Sequence, residues 1–519
     1  MQPLVAVLLI LVAIAVLYAL SVKINVPYPT LFVLGGLLLA FVPGLPRIQL
    51  EPDLVLLVFL PPLLFIAAIE TNFRELRQNI APITRLAFGL VVFTVVVVAV
   101  VAQALVPSIG WAAAITLGAI VAPTDAIAAT SVFRRLGVPR VITALIEGEA
   151  LFNDATALVI YRTGVAVVAG SSFALLTTGA QLVVALVGGI AIGLVVGWLA
   201  AQLLRRLDEP TVEVLISFVV PFAAYLPADV LGVSGVLAAV TAGLVIGRGY
   251  ARILTARSRT LWLFSWKMVG FVLNGFVFLL IGLELPTVVA ALQSRGQIEL
   301  AGAIAVVCLV VLATRFVWTF LSSQLPNTPY RRLAARDVRL ARWGRFIVGW
   351  AGLRGAVSLA AALALPSDFP ERDLILLVTF AVIMVTLVGQ GLTLPYLVRR
   401  AGFAGVNLDG DEPTLAREVA YSAGLAELER QRPLWPDHQP LLDRLESGLR
   451  DRTQHLATSD PTETAERDQE RIEHEQIQLA VIGAERAAVI DLRDSRRIND
   501  ETLRLVEREL DLEELRMEG

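Results

Sequence analysis

The chain has 519 residues, 56% of them hydrophobic and 17% charged, with a mean hydropathy of +0.72. Soluble globular chains run near ~25% charged residues, and the thirteen apolar runs below exclude a soluble interaction protein. The formal net charge of −3 averages two unlike parts: residues 403–519 carry 28 acidic and 15 basic side chains, a net of −13, whereas residues 1–402 are apolar and net +10.

In chain order, apolar runs fall at 2–20, 29–45, 52–71, 84–106, 111–133, 139–168, 179–204, 210–228, 232–248, 263–285, 299–325, 344–365 and 373–398. A span needs about 20 predominantly apolar residues. These thirteen runs predict an all-α integral membrane domain over 1–400, followed by an acidic, mainly helical tail over 401–519. The first run has no basic flank and no small-residue cleavage site, so it reads as a retained helix and not as a signal peptide. Pro61-Pro62 in the third run reads as a kink. The eighth and ninth runs are interrupted by Pro221, Pro227, Asp229 and Gly232. Glu213 and Lys267, near run ends, read as side chains that snorkel to the interface.

The loops between runs set the orientation. One alternate set holds nineteen Lys and Arg, among them Lys23, Arg74, Arg134, Arg135, Arg248, Arg331, Arg332, Arg336 and Arg345; the other holds Arg47, Arg295 and Arg372. The positive-inside rule places the first set in the cytoplasm, the N-terminus outside and the tail, from Arg399-Arg400 onward, inside. In the tail, Asp460-Pro461-Thr462-Glu463 reads as a helix start. Leu503, Val506 and Leu510 form a short apolar stripe. Pro433, Pro436 and Pro440 leave 403–460 open to a partly disordered reading. Cys308 is the single cysteine, so no intrachain disulfide forms. All three histidines lie in the tail, so the membrane part does any proton chemistry without imidazole.

Ionisable groups at bilayer depth cost roughly 2.5–3.5 kcal/mol each, face the protein interior and mark ion or proton paths. Pro123-Thr124-Asp125 sits mid-way through the fifth run. Pro123 lacks a backbone donor and frees a carbonyl one turn earlier. A helix broken there offers carbonyls beside a carboxylate, which is how transporters build midplane cation sites. The sixth run holds Glu147, Glu149, Asn153 and Asp154 within eight residues. Glu149 and Asn153 share a face, whereas Asp154 lies about 100° beyond Asn153, so the two acids point differently. Arg315 lies within the eleventh run. Arg354 lies in Gly352-Leu353-Arg354-Gly355, where the glycines weaken the twelfth. Two interrupted helices in two halves suggest an inverted repeat. Glu149 with Arg315 and Arg354 suits a structural role, because buried charges persist mainly when paired. Asp125 and Asp154 have no basic neighbour in sequence, and an unpaired midplane carboxylate at 154 reads as functional.

These segments resemble motifs of the sodium–proton exchangers of the monovalent cation–proton antiporter superfamily. Gly118-Ala119-Ile120 followed by Pro123-Thr124-Asp125 resembles the broken-helix motif. Glu147-Gly148-Glu149-Ala150-Leu151-Phe152-Asn153-Asp154 resembles the acid and Asn-Asp motif. Gly352 to Leu359 is similar to the late Arg motif, and Leu60-Pro61-Pro62-Leu63-Leu64-Phe65 to the third-span motif. The ending from Ile498-Asn499-Asp500-Glu501 to Glu514 is similar to that of bacterial members. The likeness runs through residues 1–400. It implies thirteen helices with inverted repeats, crossed broken helices at spans five and twelve, a mobile core, a dimerisation domain and a homodimer. By the same resemblance Asp154 is the shared ligand of cation and proton, Asn153 supports it, Thr124 contributes oxygen, and Asp125 belongs to the constellation. Glu149 pairs with Arg315, with Arg354 close by. Asn at 153 implies the electroneutral branch. Two positions depart from the pattern: Ile66 replaces an acid and Ala150 replaces a serine that can serve as cation ligands. Glu70, one turn beyond Ile66, is the candidate substitute.

The expected function is a secondary antiporter that exchanges Na+, or Li+ or K+, for H+ across the plasma membrane in pH and sodium homeostasis. It needs no cofactor, and its partners are monovalent cations, protons, lipid and a second copy, with no nucleic acid. Desolvation disfavours the charged form of a buried acid, a cation restores it and a proton neutralises it. One carboxylate can therefore carry either ion but not both. The alternatives are a K+/H+ antiporter of the same fold, or a cation channel or membrane sensor. A channel passes net current without titrating Asp154, and a sensor survives its neutralisation. No Gly-rich dinucleotide loop or Ser/His/Asp set suggests an enzyme.

Overall fold

The computed structural model describes residues 2–24, 26–42, 55–170, 175–290, 297–326, 328, 330, 338–403, 412–456, 461–495, 497 and 500–517. Arg47, Arg295, Arg331, Arg332, Arg336, Asp460, Ile498 and Asn499 lie outside the described residues, as do the end of the second run and the start of the third. Two compact units divide the chain, Met1–Leu408 and Asp409–Gly519.

The first unit contains helices at all thirteen apolar runs. They are α1 (Gln2–Ile24), α2 (Tyr28–Leu39), α3 (Leu60–Glu70, entered through the π-turn Val55–Phe59), α4 (Ile80–Leu105) and α5, broken into α5a (Trp111–Val121) and α5b (Ala126–Leu136). Then come α6 (Arg140–Val168), α7 (Leu175–Leu204), α8 (Pro210–Val230), α9 (Gly235–Ile253), α10 (Ala256–Ala290) and α11 (Gln297–Ser323). The last two are α12, broken into α12a (Val338–Trp350) and α12b (Ala356–Leu363), and α13 (Arg372–Arg400). Ten of these are long and apolar enough to cross a membrane. The shorter α2, the short α3 and the broken α12 complete the set.

The helices pack as two bundles. One gathers α1, α2, α3 and α7–α10; the other gathers α4, α5, α6, α11, α12 and α13. Small residues set the close approaches in the first. A Cβ at Gly36 of α2 or Gly282 of α10 would fall on the backbone of the other helix, and Gly189 and Gly193 of α7 meet the backbone of α9 in the same way. Without a hydrophobic drive between helices in lipid, such backbone contact is what holds spans together. The outer faces of α1 and α7 stay apolar and exposed, including Val12, Val16, Val184, Val187, Leu194 and Trp198, as surfaces in contact with acyl chains require. The second bundle repeats one pattern: α4–α5–α6 and α11–α12–α13 each have a broken middle helix.

Two expectations change. Glu213, in the first turn of α8, does not snorkel: it is 1% exposed and both its carboxylate oxygens lack a partner. Its helix turns it inward, because Ser217 one turn later faces α10 and accepts a hydrogen bond from Trp266 Nε1 at 3.0 Å. In the second unit, 412–456 is not disordered. It forms α14 (Glu412–Gln431) and α15 (Gln439–Leu456), with Pro433 and Pro436 in the turn between them and Pro440 in the first turn of α15. Arg432 spans that turn to Asp443 at 2.8 Å and to Glu446. α16 (Pro461–Asp494) and α17 (Asp500–Met517) follow, tied by Arg486 to Asp511 and Glu514 at 2.8 and 2.7 Å.

Candidate functional site

The two broken helices meet at their breaks. Residues 123–125 and 352–355 are non-helical, and the Asp125 N–H donates to the Leu353 carbonyl at 2.7 Å. Asp125 Oδ1 then caps α5b by accepting from the Ile127 N–H at 2.8 Å. A Cβ at Gly355 would fall on the Asp125 carboxylate, so only glycine fits at that crossing. Breaking two helices leaves carbonyls that need donors, and Arg354 supplies them. Its Nε donates to the Val121 carbonyl at 3.0 Å and its Nη1 to Gly352. Its own N–H donates to Thr386 Oγ1 of α13 at 3.1 Å. Arg354 therefore serves the crossing and makes no hydrogen bond to Glu149.

Glu149 is bound elsewhere. Arg315 donates from Nη1 and Nη2 to its two oxygens at 2.5 and 3.0 Å, and from Nε to the Val348 carbonyl at 3.1 Å. Both side chains are 1% exposed. A bidentate, fully hydrogen-bonded pair is the form in which charge survives burial. The network continues to the break: Thr124 Oγ1 donates to Glu149 Oε1 at 3.0 Å and accepts from Asn153 Nδ2 at 2.8 Å. Asn153 Oδ1 is buried without a partner.

Asp154 has no comparable company. It is 7% exposed and makes no hydrogen bond or ion pair among the described residues. It lines a cavity of about 680 Å³ together with Pro123, Thr124, Asp125 and Ser358. The cavity runs between the bundles to Arg134, Arg135, Lys267 and Arg399, all at the Arg-rich end of the spans. Glu70 stands there and does not reach Asp154. Arg134 Nη2 holds it at 2.8 Å and Glu147 at 3.2 Å. Ile66 and Ala150 are apolar wall. The opposite end is closed. Leu151 and Ala155, on either side of Asp154 in α6, pack with Leu60, Leu64, Tyr225, Val236 and Val240 of the other bundle. Further along α6, Arg162 donates to Asp229 Oδ1 at 2.6 Å across the same seam.

This geometry gives a buried carboxylate, a cavity open to one side and a two-bundle seam. The sequence profile described as "Sodium/hydrogen exchanger, transmembrane" matches residues 7–400. The chain belongs to this family. The exchanger is 35% identical to an "Uncharacterized Na(+)/H(+) exchanger" of Mycobacterium tuberculosis over 525 residues, covering 99% of this chain and 96% of the relative. It is 34% identical over 430 residues to the low-affinity Na+/H+ antiporter NhaS1 of Synechocystis, covering 80% and 77%. Its fold is similar to that of the sodium proton antiporter MjNhaP1 of Methanocaldococcus jannaschii, with a TM-score of 0.59 at 17% identity over 78% of this chain and all of that one. It is thus a multi-pass membrane protein and a secondary transporter, not an enzyme, which removes the channel and sensor readings.

Sequence reasoning did not single out several participants. Thr386, the Val121 and Val348 carbonyls and the Arg134 link to Glu70 had no signal of their own. Arg162, a charge inside the sixth apolar run, did carry one. Ser358 was visible only as part of a motif.

Proposed function

We propose that the exchanger moves one monovalent cation, Na+ first, against one proton through a single shared carboxylate, Asp154. The observation that carries this is the contrast on α6: Glu149 is saturated with donors, whereas Asp154 is buried at a cavity with none. A cation entering the cavity satisfies the charged carboxylate, and a proton neutralises it. Either load removes the cost of an unpaired buried charge as the six-helix bundle moves against the other. An empty, charged Asp154 does not cross, so the two ions are exchanged and neither leaks. Asn153 and Thr124 hold the site in place, Asp125 faces the same cavity, and Glu149, Arg315 and Arg354 are its frame. No cofactor enters the exchange. The exchanger works as a homodimer in the plasma membrane, N-terminus outside and tail cytoplasmic, so the cavity faces the cytoplasm and serves pH and sodium homeostasis. Residues 1–400 form the exchange domain and 401–519 a cytoplasmic tail. The apolar Ile66 and Ala150 favour testing Li+ and K+ beside Na+.

Everted vesicles from an exchanger-deficient host, acidified inside and loaded with a pH-sensitive dye, test this. Adding the transported cation should release internal protons without net current, and Asp154→Asn should not respond. Release by no cation, or equal release by the Asn variant, would sink the proposal.

A further inference from the structure

The cavity beside Asp154 is short of oxygen. Ile66 and Ala150 are apolar, and the Thr124 hydroxyl is already committed to Asn153 and Glu149. A dehydrated cation needs several oxygens in place of its hydration shell. Among the buried hydroxyls of the wall, one has no other use. Ser358 lines the cavity, is 1% exposed, and its Oγ has no hydrogen-bond partner.

Thr94 and Thr319 also lack partners, but neither lines the cavity. A helical serine or threonine ordinarily bonds back to the carbonyl three or four residues earlier. Thr156, Thr163 and Thr379 do so at 3.2, 2.9 and 2.8 Å. For Ser358 the residues four and three earlier are Arg354 and Gly355, in the unwound break, and its hydroxyl makes no such bond. The neighbours of Ser358 fix where it stands. Gly355 is pressed against the Asp125 carboxylate. Val357 packs against the cluster that holds Leu151 and Ala155, which flank Asp154. Ser358, at the start of α12b, thus lines the same cavity as both carboxylates.

Resting on Asp154 as the cation site, we infer that Ser358 Oγ is a ligand of the transported cation and sets its selectivity. The ion is then held from both broken-helix repeats at once, by Asp154 and Asp125 on one side and Ser358 on the other. Loading draws the two halves of the crossing together.

The test uses the purified full chain in liposomes, with half-saturating Na+, Li+ and K+ measured for the wild type, Ser358→Ala and Ser358→Thr. Losing one ligand should raise half-saturating Na+ about tenfold and change the Na+ to Li+ ratio, with the maximal rate within about twofold. Threonine, which keeps the hydroxyl, should restore the ratio. A role in packing would lower yield and maximal rate and leave the ion ratio alone. Half-saturation within about twofold of wild type for all three ions overturns the inference. If the alanine variant does not accumulate folded, Ser358→Cys in a Cys308→Ala background decides. Na+ slowing thiosulfonate labelling relative to choline supports the ligand, and equal rates overturn it. An exchanger that fails in the wild type, or works as Asp154→Asn, fails on the shared-carboxylate reading itself, which these arms separate.

Discussion

Glu149 and Asp154 stand five residues apart on one helix, and both are buried, at 1% and 7% exposure. Glu149 meets a guanidinium in bidentate contact and a threonine hydroxyl. Asp154 meets an open cavity. Rotation along the helix turns the first into the six-helix bundle and the second into the seam between bundles. Burial alone therefore does not mark a transport site. On the proposed mechanism, what matters is whether the protein itself satisfies the charge or leaves that to a mobile ion. Glu213 is the control within the same molecule, since it is buried and unpartnered but does not line that cavity.

Asp154→Asn should give the largest loss, more than about 100-fold in exchange rate, because each ~1.4 kcal/mol of lost ion stabilisation is tenfold. The folded variant should keep its elution profile and melting temperature, and vesicle dye assays read the rate. Arg315→Ala should act on folding first. Leaving Glu149 buried and unpaired costs roughly 3–5 kcal/mol, read as a fall in melting temperature and membrane yield. Arg315→Lys should recover only part of it, since an ammonium lacks the two-pronged geometry. An Arg315→Ala variant as stable as the wild type would erase the distinction between the two acids.

The pH dependence has a definite sign. On the proposed mechanism protons and cation compete for one carboxylate, so half-saturating Na+ should fall as pH rises across about pH 6 to 9 on the cation-loading side. A flat profile contradicts competition. Glu213→Gln should leave exchange close to wild type while keeping or raising the melting temperature, because it removes a buried carboxylate that no donor meets. Arg162→Ala should also act weakly. Its pair with Asp229 is partly exposed, at 53% and 34%, and such pairs are worth about 0–1 kcal/mol. A change of at most about fivefold in exchange rate is expected, and a complete loss would make that seam a gate in its own right.

The spans were legible because twenty apolar residues in lipid have few alternatives, and both breaks were legible because Pro123 and the Gly352–Gly355 pair interrupt apolar runs. The acids of the site stood out for the same reason, as charges where charge is costly. Partners were not legible at that level. Sequence put Arg354 near Glu149, but the orphan carbonyls of two unwound segments compete for it and win. Glu213 lies close enough to a run end to pass for an interfacial side chain, and only packing against α10 shows that it is turned inward. Ser358 sits in a short helix whose first turn looks ordinary, and only the packed structure shows that its idle hydroxyl lines the cavity.

The most direct test adds Na+ to the purified, detergent-solubilised exchanger in weak buffer and measures released protons alongside bound cation. Binding to a shared carboxylate should release about one proton per cation in the wild type and none in Asp154→Asn, as displacement from a protonated ligand requires. Cation binding without proton release, or release that survives in Asp154→Asn, would contradict the account.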